Sequence, residues 1–234
     1  MTISPILITG AGQRIGFYCA MQWLEQGVPV IVTYRQNRPT IDQLKSKGAI
    51  AIQADFQNNE SIMQFITQLK QTTTSLRAII HNASTWLKDD GTGKVFAELF
   101  TVHMQAPYLI NLHCRELLMT SSLADIIHIT DDSVRKGSSD HIAYCASKAG
   151  LTNLTLSFAK LLAPHVKVNC IAPSLVMFNE QDTDSYKQQA INKSLLNIVP
   201  GEQEIFRAIN YLLDSSNITG EILSINGGRH LKTE

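Results

Sequence analysis

Apolar, β-branched runs alternate along the chain with stretches in which apolar residues return every three or four positions. The runs at 5–9 (PILIT), 28–34 (VPVIVTY), 50–53 (IAIQ), 77–81 (RAIIH), 125–130 (DIIHIT), 166–172 (VKVNCIA) and 221–225 (EILSI) predict strands. Segments 15–26, 41–47, 60–70, a region around 94–119, 143–162 and 202–214 predict helices. Strands that are apolar on both faces and separated by helices imply a sheet covered on both sides. The expected class is α/β: a doubly wound, mainly parallel seven-stranded sheet with helices on both faces and right-handed crossovers, Rossmann-like. Polar breaks at 84–93, 131–140 and 178–194 all follow strands, so they belong on the carboxyl rim, where such sheets bind ligands.

The length, 234 residues, suits one domain spanning 1–234, with a flap at about 175–195 closing over the rim. Cys19, Cys114, Cys145 and Cys170 are widely spaced and form no CxxC pair, so they read as small buried hydrophobes, and no metal site is expected. Residues 1–8 carry no basic leader, and no apolar run approaches a membrane span, which predicts a cytoplasmic protein with no membrane partner. Twenty basic residues balance twenty acidic ones, leaving no net field to draw nucleic acid.

Residues 6–16, ILITGAGQRIG, form an apolar strand that meets a helix within Gly10, Gly12 and Gly16. Glycine permits close backbone approach there, and the helix N-terminus offers unpaired N–H groups to a pyrophosphate. Arg14 places a cation beside that N-terminus, an unfavourable position unless an anion uses it. The second strand ends in Tyr34 and Arg35, with no acidic residue before Asp42. A free adenosine ribose calls for an acidic residue at this point, whereas Arg14 and Arg35 suit a 2′-phosphate, which favours NADPH over NADH. Asp55 at the end of the third strand fits either an adenine contact or a helix cap. Asn82 and Ala83 end the fourth strand, where backbone passes close to a ribose.

Tyr144 and Lys148 lie four residues apart on a segment with a helical apolar stripe, so both project from one face. An ammonium near a phenol favours the phenolate, which predicts a lowered tyrosine pKa and an acid–base role, with the lysine also available to the nicotinamide ribose.

The glycine turn, HNAS at 81–84, YxxxK, VNCIAPS at 168–174 and ITGEILSINGG at 218–228 occur in one order along essentially the whole chain. In this the chain resembles the short-chain dehydrogenase/reductase family. Members of that family usually carry glycine where Arg14 stands and serine thirteen residues before the tyrosine, where Asp131 stands. The arginine and aspartate together are similar to the pteridine reductases, which reduce dihydropterins with NADPH. HNAST, IIHITDD, IAPSLVMFNE and INKSL resemble most closely the bacterial dihydromonapterin reductases.

The resemblance implies reduction of 7,8-dihydromonapterin to the tetrahydro form, with weaker dihydrofolate reductase activity; the alternative is a carbonyl reductase of the same family. It implies Tyr144, Lys148 and Asp131 as catalytic residues, with Arg14, Ser84, Trp86, Asp131 and Tyr144 meeting the substrate. Trp86 would sandwich the pterin against the nicotinamide, or else anchor its loop. The implied cofactor contacts add Gln13, Ile15, Phe56, Ser84, Thr130, Pro173, Ser174 and Leu175. The family asparagine that holds a water relay to the lysine corresponds to His103, and the family Pro-Gly after the sixth strand is Pro173-Ser174. Assembly as a homotetramer or homodimer is also implied, with Leu151, Leu154 and Phe158 suited either to a helix seam between subunits or to burial against the sheet.

Overall fold

The computed structural model describes residues 3–120 and 123–232. Seven strands, β1 (Ile6–Ile8), β2 (Val30–Tyr34), β3 (Ile50–Gln53), β4 (Ala78–His81), β5 (Ala124–Ile129), β6 (Val166–Pro173) and β7 (Ile222–Ile225), form one sheet in the order 3-2-1-4-5-6-7. Every neighbouring pair is parallel. The order reverses between β1 and β4, and the crevice above that switch point is where the carboxyl ends can admit a ligand.

Helices α1 (Arg14–Glu25), α2 (Pro39–Ser46) and α8 (Glu202–Asp214) cover one face, with Ile8, Val32, Ile80 and Ile171 beneath them. Helices α3 (Asn59–Thr72), α5 (Ala106–Met119) and α6 (Ile142–Leu162) cover the other, over Leu7, Ile31, Ile79 and Ile126. Two further helices, α4 (Lys94–Phe100) and α7 (Asp184–Ile191), follow β4 and β6 at the carboxyl rim. No helix among the described residues is long and apolar enough to cross a membrane.

The region expected as helix around 94–119 is interrupted. Between α4 and α5, residues Thr101–Gln105 form a π-helical turn, closed by the Ala106 N–H donating to the Thr101 carbonyl. Pro107 supplies the reason: it has no N–H to return to the carbonyl four residues earlier, so the ladder widens there. The widened turn packs tightly on α6, where a Cβ on Gly150 would lie 2.3 Å from Met104 Sδ. Of the two readings open for the α6 apolar residues, burial holds for Leu151 and Phe158, and Leu154 is partly buried against the same core.

At the amino rim of the sheet, the Asp125 carboxylate lies between Arg77 and Lys167, the latter 2.8 Å away. Both cations also donate to carbonyls near the end of α8, Arg77 to Leu213 and Lys167 to Leu212. The cluster clamps α8 to three strands at the rim opposite the cleft.

A second polar chain crosses the core. His81 and His128, paired across β4 and β5, are both buried with Asn111 and Thr155. His81 Nε2 donates to Asn111 Oδ1 (2.7 Å), Asn111 Nδ2 donates to His128 Nε2 (3.2 Å), and His128 Nδ1 donates to Thr155 Oγ1 (2.8 Å). Burial lowers the pKa of His81 to about 4, and that of His128 falls well below its ordinary value from the same cause. Both imidazoles are therefore neutral in the fold, while an unfolded histidine gains its proton near pH 6.5. The stability they permit is complete above that pH and is lost as pH falls toward the folded values, by about 3 kcal/mol for His81 alone. Urea denaturation should accordingly show a markedly lower unfolding free energy at pH 5.5 than at pH 7.5, and replacing both histidines by an apolar pair should flatten that slope.

Candidate active site

The turn after β1 is knotted to the end of β4. Thr9 Oγ1 accepts from the N–H groups of Asn82 and Ala83, both at 3.0 Å, and Asn82 Nδ2 donates back to the carbonyls of Thr9 (3.0 Å) and Gly10 (3.1 Å). Gly10 N donates to Thr33 Oγ1 at 3.0 Å, which adds β2 to the knot. A Cβ on Gly10 would lie 2.7 Å from Ala83 Cα, and one on Gly16 would lie 2.6 Å from Asn82 Nδ2. Asn82, expected to meet a ribose, thus uses its amide within the protein. The N-terminus of α1 has no side-chain cap and no acidic residue in its first turn. Its free N–H groups face the cleft lined by Gln13, Ile15 and Gly16.

Arg14 sits in the left-handed region at φ 53, a conformation that costs a side chain about 1 kcal/mol. Its guanidinium donates to Asn179 Oδ1 in the flap, at 2.5 Å. On the β2 side the guanidinium-bearing chain nearest the glycine turn is Arg38, whose Cδ lies 3.7 Å from the Cβ position of Gly12. Tyr34, Arg35 and Arg38 together line that end of the cleft. Asp55 also lines it, and its Oδ1 accepts from Gln57 N at 3.2 Å; the cap of α3 is Asn58, not Asp55. Phe56 is mostly buried against Phe65.

Tyr144 Oη donates to Asp131 Oδ2 at 3.0 Å. Asp131 Oδ1 accepts from Ser133 N at 2.8 Å, capping the short 3-10 turn Asp132–Arg135, so one carboxylate both caps the turn and meets the phenol. The adjacent Asp132 is occupied by Asn226 Nδ2 at 2.7 Å. Lys148 is buried and donates to the Ile129 carbonyl at 2.9 Å; its Nζ is 5.7 Å from the centre of the Tyr144 ring. The expectation of a lowered tyrosine pKa is corrected here. Burial and the Asp131 carboxylate push the Tyr144 phenol well above its ordinary value, and burial lowers the Lys148 ammonium to about 8. The pair therefore holds a proton on the phenol at neutral pH.

Trp86 is exposed, its ring centre 4.3 Å from that of Tyr144, edge to face, and 4.2 Å from that of His141. Its loop is pinned by Asp89, whose carboxylate accepts from the N–H groups of Ile142 (2.6 Å) and Ala143 (3.1 Å) at the start of α6. Deeper in, His103 is buried between Ser84 Oγ and Ser147 Oγ, each 2.8 Å from a ring nitrogen. Burial, reinforced by Lys148, lowers its pKa to about 2. It bonds to serines rather than to the lysine side chain, so the relay position of the family contains a different network.

Just past the ends of β5 and β6, Thr130 directs both its N–H and its hydroxyl to the Ile171 carbonyl, and Ser174 N donates to Ile225 O. Pro173, Ser174 and Leu175 line the cleft beyond them. Every cofactor and substrate residue expected from sequence lies along this one cleft, of about 1020 Å3. Its unforeseen members include Arg38 and Asn179. Among the described residues no cluster suited to a metal ion occurs.

A doubly wound sheet with an uncapped glycine turn at its switch point and a tyrosine–lysine pair on α6 defines a nucleotide-dependent oxidoreductase. The family model described as Enoyl-(Acyl carrier protein) reductase matches residues 10–230, and the chain belongs to the short-chain dehydrogenase/reductase family. The chain is 50% identical over 234 residues to a dihydromonapterin reductase of Klebsiella pneumoniae subsp. pneumoniae, with 97% of each chain covered. A dihydromonapterin reductase of Enterobacter sp. is 51% identical over 232 residues, again at 97% of each. Among solved structures, FolM Alternative dihydrofolate reductase 1 from Brucella canis complexed with NADP superposes with a TM-score of 0.88 at 25% identity, covering 99% of this chain and 95% of that one.

Removing the phenol in Tyr144→Phe should lower kcat by about 100-fold or more while the protein stays folded, measured by steady-state NADPH oxidation. In the same assay kcat/KM should fall as pH rises through about 8, the value to which burial brings the ammonium of Lys148, because only its charged form can hold a ribose hydroxyl as a full cation.

Proposed function

We propose that this chain is an NADPH-dependent dihydropterin reductase that converts 7,8-dihydromonapterin to 5,6,7,8-tetrahydromonapterin and reduces dihydrofolate more weakly. The observation that carries this reading is the 3.0 Å hydrogen bond from Tyr144 to the Asp131 carboxylate, where the family ordinarily has serine. A serine hydroxyl can donate to a substrate carbonyl, whereas a carboxylate only accepts, so Asp131 does not help to polarise a ketone. It can orient a phenol for proton delivery to a ring nitrogen. The dihydromonapterin reductases at about half identity over 97% of the chain support the same substrate.

The residues present fit the cofactor. Gly10 and Gly16 leave no space for a side chain, and the N-terminus of α1 is uncapped, as a pyrophosphate site requires. Arg14 and Arg35, with Arg38 beside them, would hold the 2′-phosphate, Lys148 and Tyr144 the nicotinamide ribose, and Leu175 the carboxamide end. When bound, NADPH supplies the hydride. Trp86 would hold the flat pterin by stacking, with Arg14 and Ser84 beside its polar edge. Tyr144 gives its proton to N5, directly or through a water, solvent returns a proton to the phenolate, and Asp131 keeps the phenol aimed. Residues 175–195, already joined to the glycine turn through Arg14 and Asn179, would exclude water from the ring.

Assembly into a homodimer or homotetramer is part of the same reading, supported by exposed Phe96, Tyr108 and Leu156 on α4, α5 and α6. Four buried free cysteines suit a cytoplasmic setting.

The deciding assay is NADPH oxidation with 7,8-dihydromonapterin and 7,8-dihydrofolate in parallel, against a panel of ketones. Higher kcat/KM for dihydromonapterin, weaker turnover of dihydrofolate and none of the ketones is expected. Turnover of ketones alone would replace the reading with a carbonyl reductase.

A further inference from the structure

His103 stands in the π-helical turn, its ring centre 5.5 Å from that of Tyr144, yet the mechanism above does not use it. Its ring is buried and neutral, so one nitrogen carries a proton and the other a lone pair; the surrounding atoms decide which. The Thr85 backbone N–H, which can only donate, points at Nε2 from 3.3 Å. On the other side, Ser147 Oγ gives its own proton to the Tyr144 carbonyl at 2.8 Å, so toward Nδ1 it can only accept. Both observations require the same tautomer, with the proton on Nδ1 and the lone pair on Nε2. Ser84 Oγ lies 2.8 Å from that lone pair and must give it a proton, since oxygen lone pairs facing it at that distance would repel.

We propose that His103 is a positioning residue that fixes the Ser84 hydroxyl as an acceptor toward the cleft, so that Ser84 selects ligands presenting an N–H and rejects those presenting an oxygen. Ser84 is exposed within the cleft, so its remaining lone pairs are open to a ligand. A phosphate oxygen of the cofactor finds no proton there, whereas the exocyclic amino group of a 2-aminopyrimidine does find an acceptor. The family asparagine could not do this in one fixed way: its amide offers a donor as well as an acceptor, and a rotation of the amide would free the serine.

The proposal rests on the pterin reading for its choice of ligand, and its test keeps the two apart. The tautomer is read without any substrate, from long-range 1H–15N correlations of histidine-labelled protein assigned with His103→Asn. A protonated Nδ1 and bare Nε2, unchanged between pH 6 and 8, are expected; a protonated Nε2 would overturn the lock. Selection is read by comparing 7,8-dihydropterin with 7,8-dihydrolumazine, in which an oxygen replaces the 2-amino group, through both binding affinity and steady-state turnover. The native protein should prefer the amino compound by about tenfold or more, the effect of about 1.4 kcal/mol, mostly in KM. Ser84→Ala and His103→Leu should each abolish most of that preference, and the double variant should lose no more than either. Discrimination that survives Ser84→Ala would sink the proposal even if His103→Leu failed to fold. Failure of both pteridines to turn over would instead count against the pterin reading, with the spectra still deciding the tautomer.

Discussion

The cleft depends on the knot between β1 and β4. Parallel strands with right-handed crossovers leave a gap at the switch point, but nothing in that topology sets its width. Thr9 and Asn82 set it, by exchanging hydrogen bonds across the ends of the two strands. The glycines at 10 and 16 are a consequence of this closeness, because their Cβ positions are already filled by Ala83 and Asn82. The uncapped N-terminus of α1 is held at the same place by the same bonds. A polar knot of this kind favours precision over plasticity, since loosening any one bond would leave a buried group unsatisfied.

Around Tyr144 the electrostatics favour an acid rather than a base. The cation of Lys148 is turned toward the Ile129 carbonyl and sits beside the ring, while an anion meets the hydroxyl. Burial acts in the same direction on both partners, favouring the neutral form of each: it raises the phenol and lowers the ammonium. The usual family serine would leave the phenol without an anionic partner. Asp131 therefore changes the charge of the site.

Much of this was legible in the sequence because it is local or periodic. Strands buried on both faces show as unbroken apolar runs, and the i, i+4 spacing of Tyr144 and Lys148 fixes their common face on α6. The resemblance to the family, with its serine thirteen residues before the tyrosine, located Asp131, and the interval transfers because loop and helix are contiguous in the chain. What escaped was long-range or depended on a missing atom. The π turn follows from an N–H that Pro107 lacks, a small perturbation inside an otherwise helical pattern. The partner of Arg14 is Asn179, far away in the chain, and the partners of His103 come from two other segments. The tyrosine pKa went the other way because proximity of a lysine says nothing of where its ammonium points or how dry the phenol is.

The Asp89 cap links the loop that carries Trp86 to the helix that carries Tyr144. An aromatic wall on a free loop would have to be ordered each time a ligand stacked on it, at a cost of about 1 kcal/mol or more per residue fixed. Here that ordering occurs once, when α6 forms its first turn. The wall that carries Trp86 is therefore in place before any ligand arrives, and a ligand that stacks on it meets a preformed surface.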